Sequence, residues 1–133
     1  MDKILYSAIV LDDQSHDKLI NHLDNIIPND WKKYAHHMTI VFGKGLSDEW
    51  KKYLGMKIKL TAIEVGISEM AIAVKVKGFY SDNEIPHITV AININQGGKP
   101  FMSNKISDWK PINEITNIDL IDLYGIVKEV KSN

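Results

Sequence analysis

The chain has 133 residues, a formal net charge of −1 and no cysteine. Its length suits one domain over residues 1–133, with about two-thirds of the unfolded surface buried on folding. The composition excludes disulfides, thiolate metal sites and a cysteine nucleophile. Because all 16 basic residues are lysines, it also excludes bidentate guanidinium clamping of phosphate.

Residues 3–11, KILYSAIVL, are apolar on both faces and read as a central strand, not as a signal peptide or a membrane span. Asp12 to Ser15 can cap a helix, and Leu19, Leu23, Ile26 and Ile27 recur at helical spacing behind them. Pro28-Asn29-Asp30 ends that helix. HHMTIVFG, residues 36–43, is the next strand, and Ser47 opens a short helix. Residues 57–67 and 69–77 pair as a hairpin, with Met70, Ile72, Val74 and Val76 on one face and Lys75 and Lys77 on the other. SDNEIP is a loop, HITVAIN a strand, and QGGKPFMSNKISDWKP a long polar connection. Residues 114–130 supply one or two closing strands. The pattern predicts an α+β fold with largely antiparallel sheet.

Two stretches share a pattern: His37-Met38-Thr39-Ile40 and His87-Ile88-Thr89-Val90. Strand periodicity is two, so His37 and Thr39 share one face, while Met38, Ile40 and Phe42 turn to the core. In the second copy His87, Thr89 and Ala91 share a face opposite Ile88, Val90 and Ile92. Adjacent or facing strands would gather two imidazoles and two hydroxyls at one point. That set suits displacement at phosphorus, which needs a base on one side and an acid on the other. An ordinary histidine pKa of about 6.5 lets one ring be neutral and the other protonated near neutral pH. The Thr hydroxyls can hold phosphate oxygens.

The paired His-x-Thr motifs, with the segment GGKPFMSNKI after the second, resemble the 2H phosphoesterase superfamily. That superfamily includes RNA 2′,3′-cyclic phosphodiesterases, the cyclic phosphodiesterase domains of fungal tRNA ligases and phage anti-CBASS nucleases. The last two are the branch most similar in look. The resemblance implies a two-lobed fold whose mostly antiparallel sheets form a concave cleft with helices outside. It implies phosphodiester cleavage without a metal or other cofactor. His37 and His87 would be the acid/base pair, and Thr39 and Thr89 would bind phosphate.

Other residues are candidates for binding substrate. Tyr6, Tyr34 and Trp109 could stack on a base, or could simply close hydrophobic clusters. Ser103, Asn104 and Lys105 follow the second motif, where backbone N–H groups and a lysine could meet phosphate. Lys99 reads as solvated. His36 should point away from His37 as a structural or surface residue, and His16 and His22 should lie on the solvent side of the first helix. Adjacent strand histidines diverge and no i, i+4 histidine pair exists, so no metal site is expected.

The expected activity is cleavage of the 3′–5′ linkages of cyclic oligonucleotide immune signals. The alternatives are opening of 2′,3′-cyclic phosphates on RNA ends, and sequestration of a cyclic nucleotide without cutting it. The expected setting is the cytoplasm, of the host if the protein is viral. No membrane partner is expected, and the protein would be a monomer or a small homo-oligomer.

Overall fold

The computed structural model describes residues 3–132. Strand β1 is Ile4–Leu11. Helix α1, Asp13–Leu23, follows at once because the Asp12 carboxylate accepts from the Ser15 N–H at 2.7 Å. Strands β2, Lys32–Lys33, and β3, His37–Phe42, come next, then the one-turn helix α2, Asp48–Lys51. The predicted hairpin forms from β4, Lys57–Ile67, and β5, Ala71–Lys77. Strand β6 is His87–Ile92 and leads to a 3-10 segment at Pro100–Lys105. Strand β7, Trp109–Pro111, helix α3, Ile112–Ile115, and a single long closing strand β8, Ile121–Lys131, complete the order. Neither β2 nor β7 was expected. Both are two or three residues long, too short for a periodicity to show.

The fold is α+β with antiparallel strands and few helices. The resemblance implied two lobes around a concave cleft. The described strands instead form one sheet in the order β2-β6-β3-β1-β8-β4-β5. A further β5–β6 pairing closes six of them into a barrel. The reason is that β6 pairs on both sides, so the sheet has no break at which to divide. The barrel interior holds the main core, including Ile9, Leu60, Ile72, Val74, Ile121 and Leu123. A smaller cluster, Ala71, Ala73, Ile92 and Ile106, lies outside the wall, under the chain that follows β6.

Two bulges set which residues face outward. In the β1–β3 ladder Ser7 pairs with Val41 and Ala8 with Thr39, so Ile40 is the extra residue. In the β5–β6 ladder Ile72 pairs with Ala91 and Ala73 with Thr89, so Val90 is extra. A bulge makes two successive residues face one way and shifts the alternation beyond it. Ile40 and Val41 are both buried, and so are Val90 and Ala91. Phe42 therefore leaves the core face expected of it and is 83% exposed. Ile92 likewise joins the outer cluster.

The β3–β6 seam rests on one pair, Met38 with Ile88, and both side chains are fully buried. Truncating Ile88 there leaves a cavity that the closed barrel cannot collapse around. Ile88→Ala should cost about 2–5 kcal/mol of stability, read as a lower urea midpoint at unchanged slope.

Candidate active site

The Met38–Ile88 pairing is antiparallel. It sets His37 across from Thr89 and Thr39 across from His87, all four on the outer face of the barrel wall. The two motifs thus form a pseudo-symmetric square, each with its bulge one residue past the threonine. A pocket of about 340 Å³ opens over this square and is lined by both histidines and both threonines. Asn83 and Asn104 supply further polar groups, and Tyr6, Tyr34, Phe42 and Phe101 make its aromatic walls.

His87 is nearly buried, at 8% exposure. Its Nδ1 lies 2.8 Å from the Ile85 carbonyl. A carbonyl only accepts, so Nδ1 carries a proton and the neutral ring keeps its lone pair on Nε2. Burial pushes the His87 pKa down, and the bond to Ile85 partly offsets this. His37 is half-buried under Tyr6, whose ring stacks on it at 4.7 Å and 20°. Burial first, then the positive charges that His36 and His87 can carry, lower the His37 pKa to about 4. Both rings are therefore neutral at neutral pH in this arrangement, where one was expected to be protonated.

Each threonine is anchored differently. Thr89 Oγ1 donates to Ser103 Oγ at 2.9 Å. A hydroxyl both donates and accepts, so rotation of this pair frees the Thr89 proton for a phosphate oxygen. On the other strand, the Ser81 hydroxyl donates to the Thr39 carbonyl at 2.8 Å. That bond ties the loop carrying Asn83 to the first motif.

The remaining candidates divide. Tyr34 and Asn104 line the pocket as expected. Tyr6 lines it too, but one face of its ring is taken by His37, and burial raises its phenol pKa. Ser103 is 1% exposed, accepts from Thr89 and supports it instead of lining the pocket. Trp109 sits in an adjoining pocket that shares His87, Asn83 and Asn104 with the first, packs on Gly66, and donates its indole N–H to the Ile106 carbonyl. Lys105 turns away, its ammonium 5.6 Å from the Phe101 ring centre. No lysine lines the pocket among the described residues; the Lys32 ammonium lies 5.2 Å from the Tyr34 ring centre.

Two expectations about histidines are overturned. His36 does not diverge from His37. Ala35 before it takes a left-handed φ of +49°, so the chain enters β3 irregularly and His36 faces the same pocket. Such a conformation costs an alanine about 1–2 kcal/mol. It is held by Ala35 N–H donating to the Thr89 carbonyl and by Leu11 N–H donating to the His36 carbonyl, both at 2.9 Å. The third clamp is His16, whose Nδ1 lies 3.0 Å from the Ala35 carbonyl, so this ring faces the chain and not solvent.

Sequence reasoning missed Phe42, Asn83 and Phe101. Phe42 was hidden by the bulge. Phe101 is the one aromatic residue of the GGKPFMSNKI segment, which is the signal that marks it. Among the described residues, no group of three or more His, Asp or Glu could hold a metal ion. None of the described helices is long and apolar enough to cross a membrane. No family model, curated protein or solved structure matches the chain.

The lowered His37 pKa links stability to pH. Between pH 6.5 and about 4 the unfolded ring takes up a proton that the folded ring does not. Its contribution is thus complete above 6.5 and is lost as pH falls through 4. Thermal melts from pH 7 to 4 should show a steeper fall in Tm for wild type than for His37→Asn. Parallel curves would contradict the assigned environment.

Proposed function

We propose that the protein is a phosphodiesterase that cuts nucleotide phosphodiesters by paired-histidine acid/base chemistry. The observation that carries this reading is the antiparallel, in-register placement of both His-x-Thr pairs at the floor of one aromatic-walled pocket. In the proposed reaction a ribose 2′-hydroxyl attacks phosphorus. His87, with its Nε2 lone pair free, takes the hydroxyl proton. His37 gives a proton to the departing 5′ oxygen. The threonine hydroxyls bind the non-bridging oxygens and hold the line of attack. An entering phosphodiester anion favours the charged form of His87 as it takes up the hydroxyl proton.

The preferred substrate is a cyclic oligonucleotide of the bacterial immune kind, cut at a 3′–5′ linkage. Three features support a small ligand over long RNA. The pocket is of nucleotide size, at about 340 Å³. Its walls are aromatic and carry no lysine. The net charge of −1 offers no basic face of the kind that tracks a polyanion.

The test is turnover of a 3′–5′-linked cyclic dinucleotide and of a 2′,3′-cyclic mononucleotide in excess EDTA. Wild type should cut the first faster. His37→Ala and His87→Ala should each lose about 10²–10⁴-fold in kcat. Faster turnover of the mononucleotide would point to RNA-end repair. Tight binding with no turnover of either would leave a sequestering protein.

Phe42 stands at the pocket mouth with almost all of its ring in solvent, a placement with no packing role. Stacking on a base is worth about 1–3 kcal/mol. Phe42→Ala should therefore raise KM about tenfold or more with kcat nearly kept, and should not lower Tm.

A further inference from the structure

The chemistry above asks two things of His37. It must give a proton from Nε2 in the first step. If the cyclic phosphate product is then opened by water, it must accept one at the same atom. A neutral imidazole does the first only with its proton on Nε2, and the second only with its proton on Nδ1. His87 has no such freedom, because the Ile85 carbonyl pins its proton to Nδ1. His37 has a different neighbour. Its Nδ1 faces the Nδ1 of His36 at 2.9 Å, with the rings edge to face at 5.1 Å. Two facing ring nitrogens at that distance share one proton: one donates and the other accepts. His36 is exposed, whereas His37 is half-buried beneath Tyr6.

We infer that His36 and His37 form a proton-relay dyad, in which His36 sets the tautomer of His37 and recharges it from solvent. The inference rests on the phosphodiesterase reading for its catalytic part. Before the first step His36 Nδ1–H donates to His37 Nδ1, and His37 holds its proton on Nε2. As the 2′ oxygen bonds to phosphorus, the bond to the 5′ oxygen breaks and its electron pair takes the His37 Nε2 proton. His36 passes its Nδ1 proton to His37 Nδ1, having gained one from water at Nε2. The net transfer is one proton from solvent to the leaving oxygen. His37 is left with Nδ1–H bonded to His36 and a lone pair on Nε2. That is the form needed to activate water for opening the cyclic phosphate, while His87, charged in the first step, returns its proton to the 2′ oxygen. The relay also answers the neutral state of His37: its proton need not be stored on a buried imidazolium.

The groups facing His37 are few. Tyr6 on β1 stacks on it, His87 on β6 and Tyr34 share its pocket, the loop before β6 brings Asn83, and the segment after β6 brings the uncharged Pro100, Phe101 and Asn104. The Lys32 ammonium lies 5.2 Å from the Tyr34 ring centre. The His37 Nδ1 itself meets the Nδ1 of His36. The geometry is produced by the left-handed Ala35, without which adjacent strand residues would point to opposite faces.

The experiment uses the full chain with labelled imidazole nitrogens, and the variants His36→Phe and His36→Asn. Phenylalanine keeps a ring and removes both nitrogens. Asparagine places an amide nitrogen near the Nδ1 position but cannot relay a proton. Long-range nitrogen–proton NMR, without substrate, should show the His37 tautomer altered in His36→Phe and nearer wild type in His36→Asn, with His87 unchanged in both. With the cyclic dinucleotide, both variants should lose about 10–100-fold in kcat at nearly constant KM, and added imidazole should restore part of it. An unchanged His37 tautomer in His36→Phe would overturn the dyad. A changed tautomer with wild-type kcat and pH profile would overturn the relay. If wild type turns over no phosphodiester, the functional reading fails, and the NMR result still decides the dyad.

Discussion

One backbone pairing carries the organisation of this molecule. Met38 and Ile88 are the single residue pair that joins β3 to β6, and both side chains fill the barrel interior. Strand geometry then leaves no choice about the residues on either side. His37, Thr39, His87 and Thr89 must stand on the outer face, in two crossed His/Thr pairs. Burying two large apolar side chains is what holds four polar ones in register on a rigid floor.

The bulges extend this logic. Each motif strand inserts one residue just past its threonine, Ile40 in one and Val90 in the other. Each thereby adds a second consecutive apolar side chain to the core and turns the next residue outward. On β3 that residue is Phe42, at the pocket mouth. On β6 it is Ile92, which anchors the segment that carries Ser103 and Asn104 over the site. The same backbone device thus builds one wall of the pocket and fastens the other.

Electrostatics follow from packing. Tyr6 covers His37, and both imidazoles lose water to their neighbours, so neither holds a proton readily. Their tautomers are set by what their Nδ1 atoms meet. For His87 that is a carbonyl, which fixes one form. For His37 it is another imidazole, which allows two. Two residues of the same type at equivalent motif positions are thereby made chemically unequal.

Much of this was legible in the chain. The repeated His-x-Thr pattern named the four floor residues, because period-two alternation holds over three residues whatever surrounds them. The capped first helix, the β4–β5 hairpin and the two motif strands were readable for the same local reasons. What failed was whatever alternation had to cross an irregularity. Phe42 was assigned to the core because no local signal marks the bulge at Ile40, and His36 was assigned away from the pocket because nothing in the chain marks Ala35 as left-handed. Trp109 and Lys105 follow the second motif in sequence, and the turn at Pro100–Lys105 places Trp109 in an adjoining pocket that also meets His87 and sets the Lys105 ammonium over the Phe101 ring. Sequence by itself therefore determined which chemical groups stand on one face of each strand. Tertiary structure decided that the two strands adjoin, that the sheet closes into a barrel, and which neighbours meet each imidazole. Those depend on pairings between residues tens of positions apart, which local periodicity does not encode.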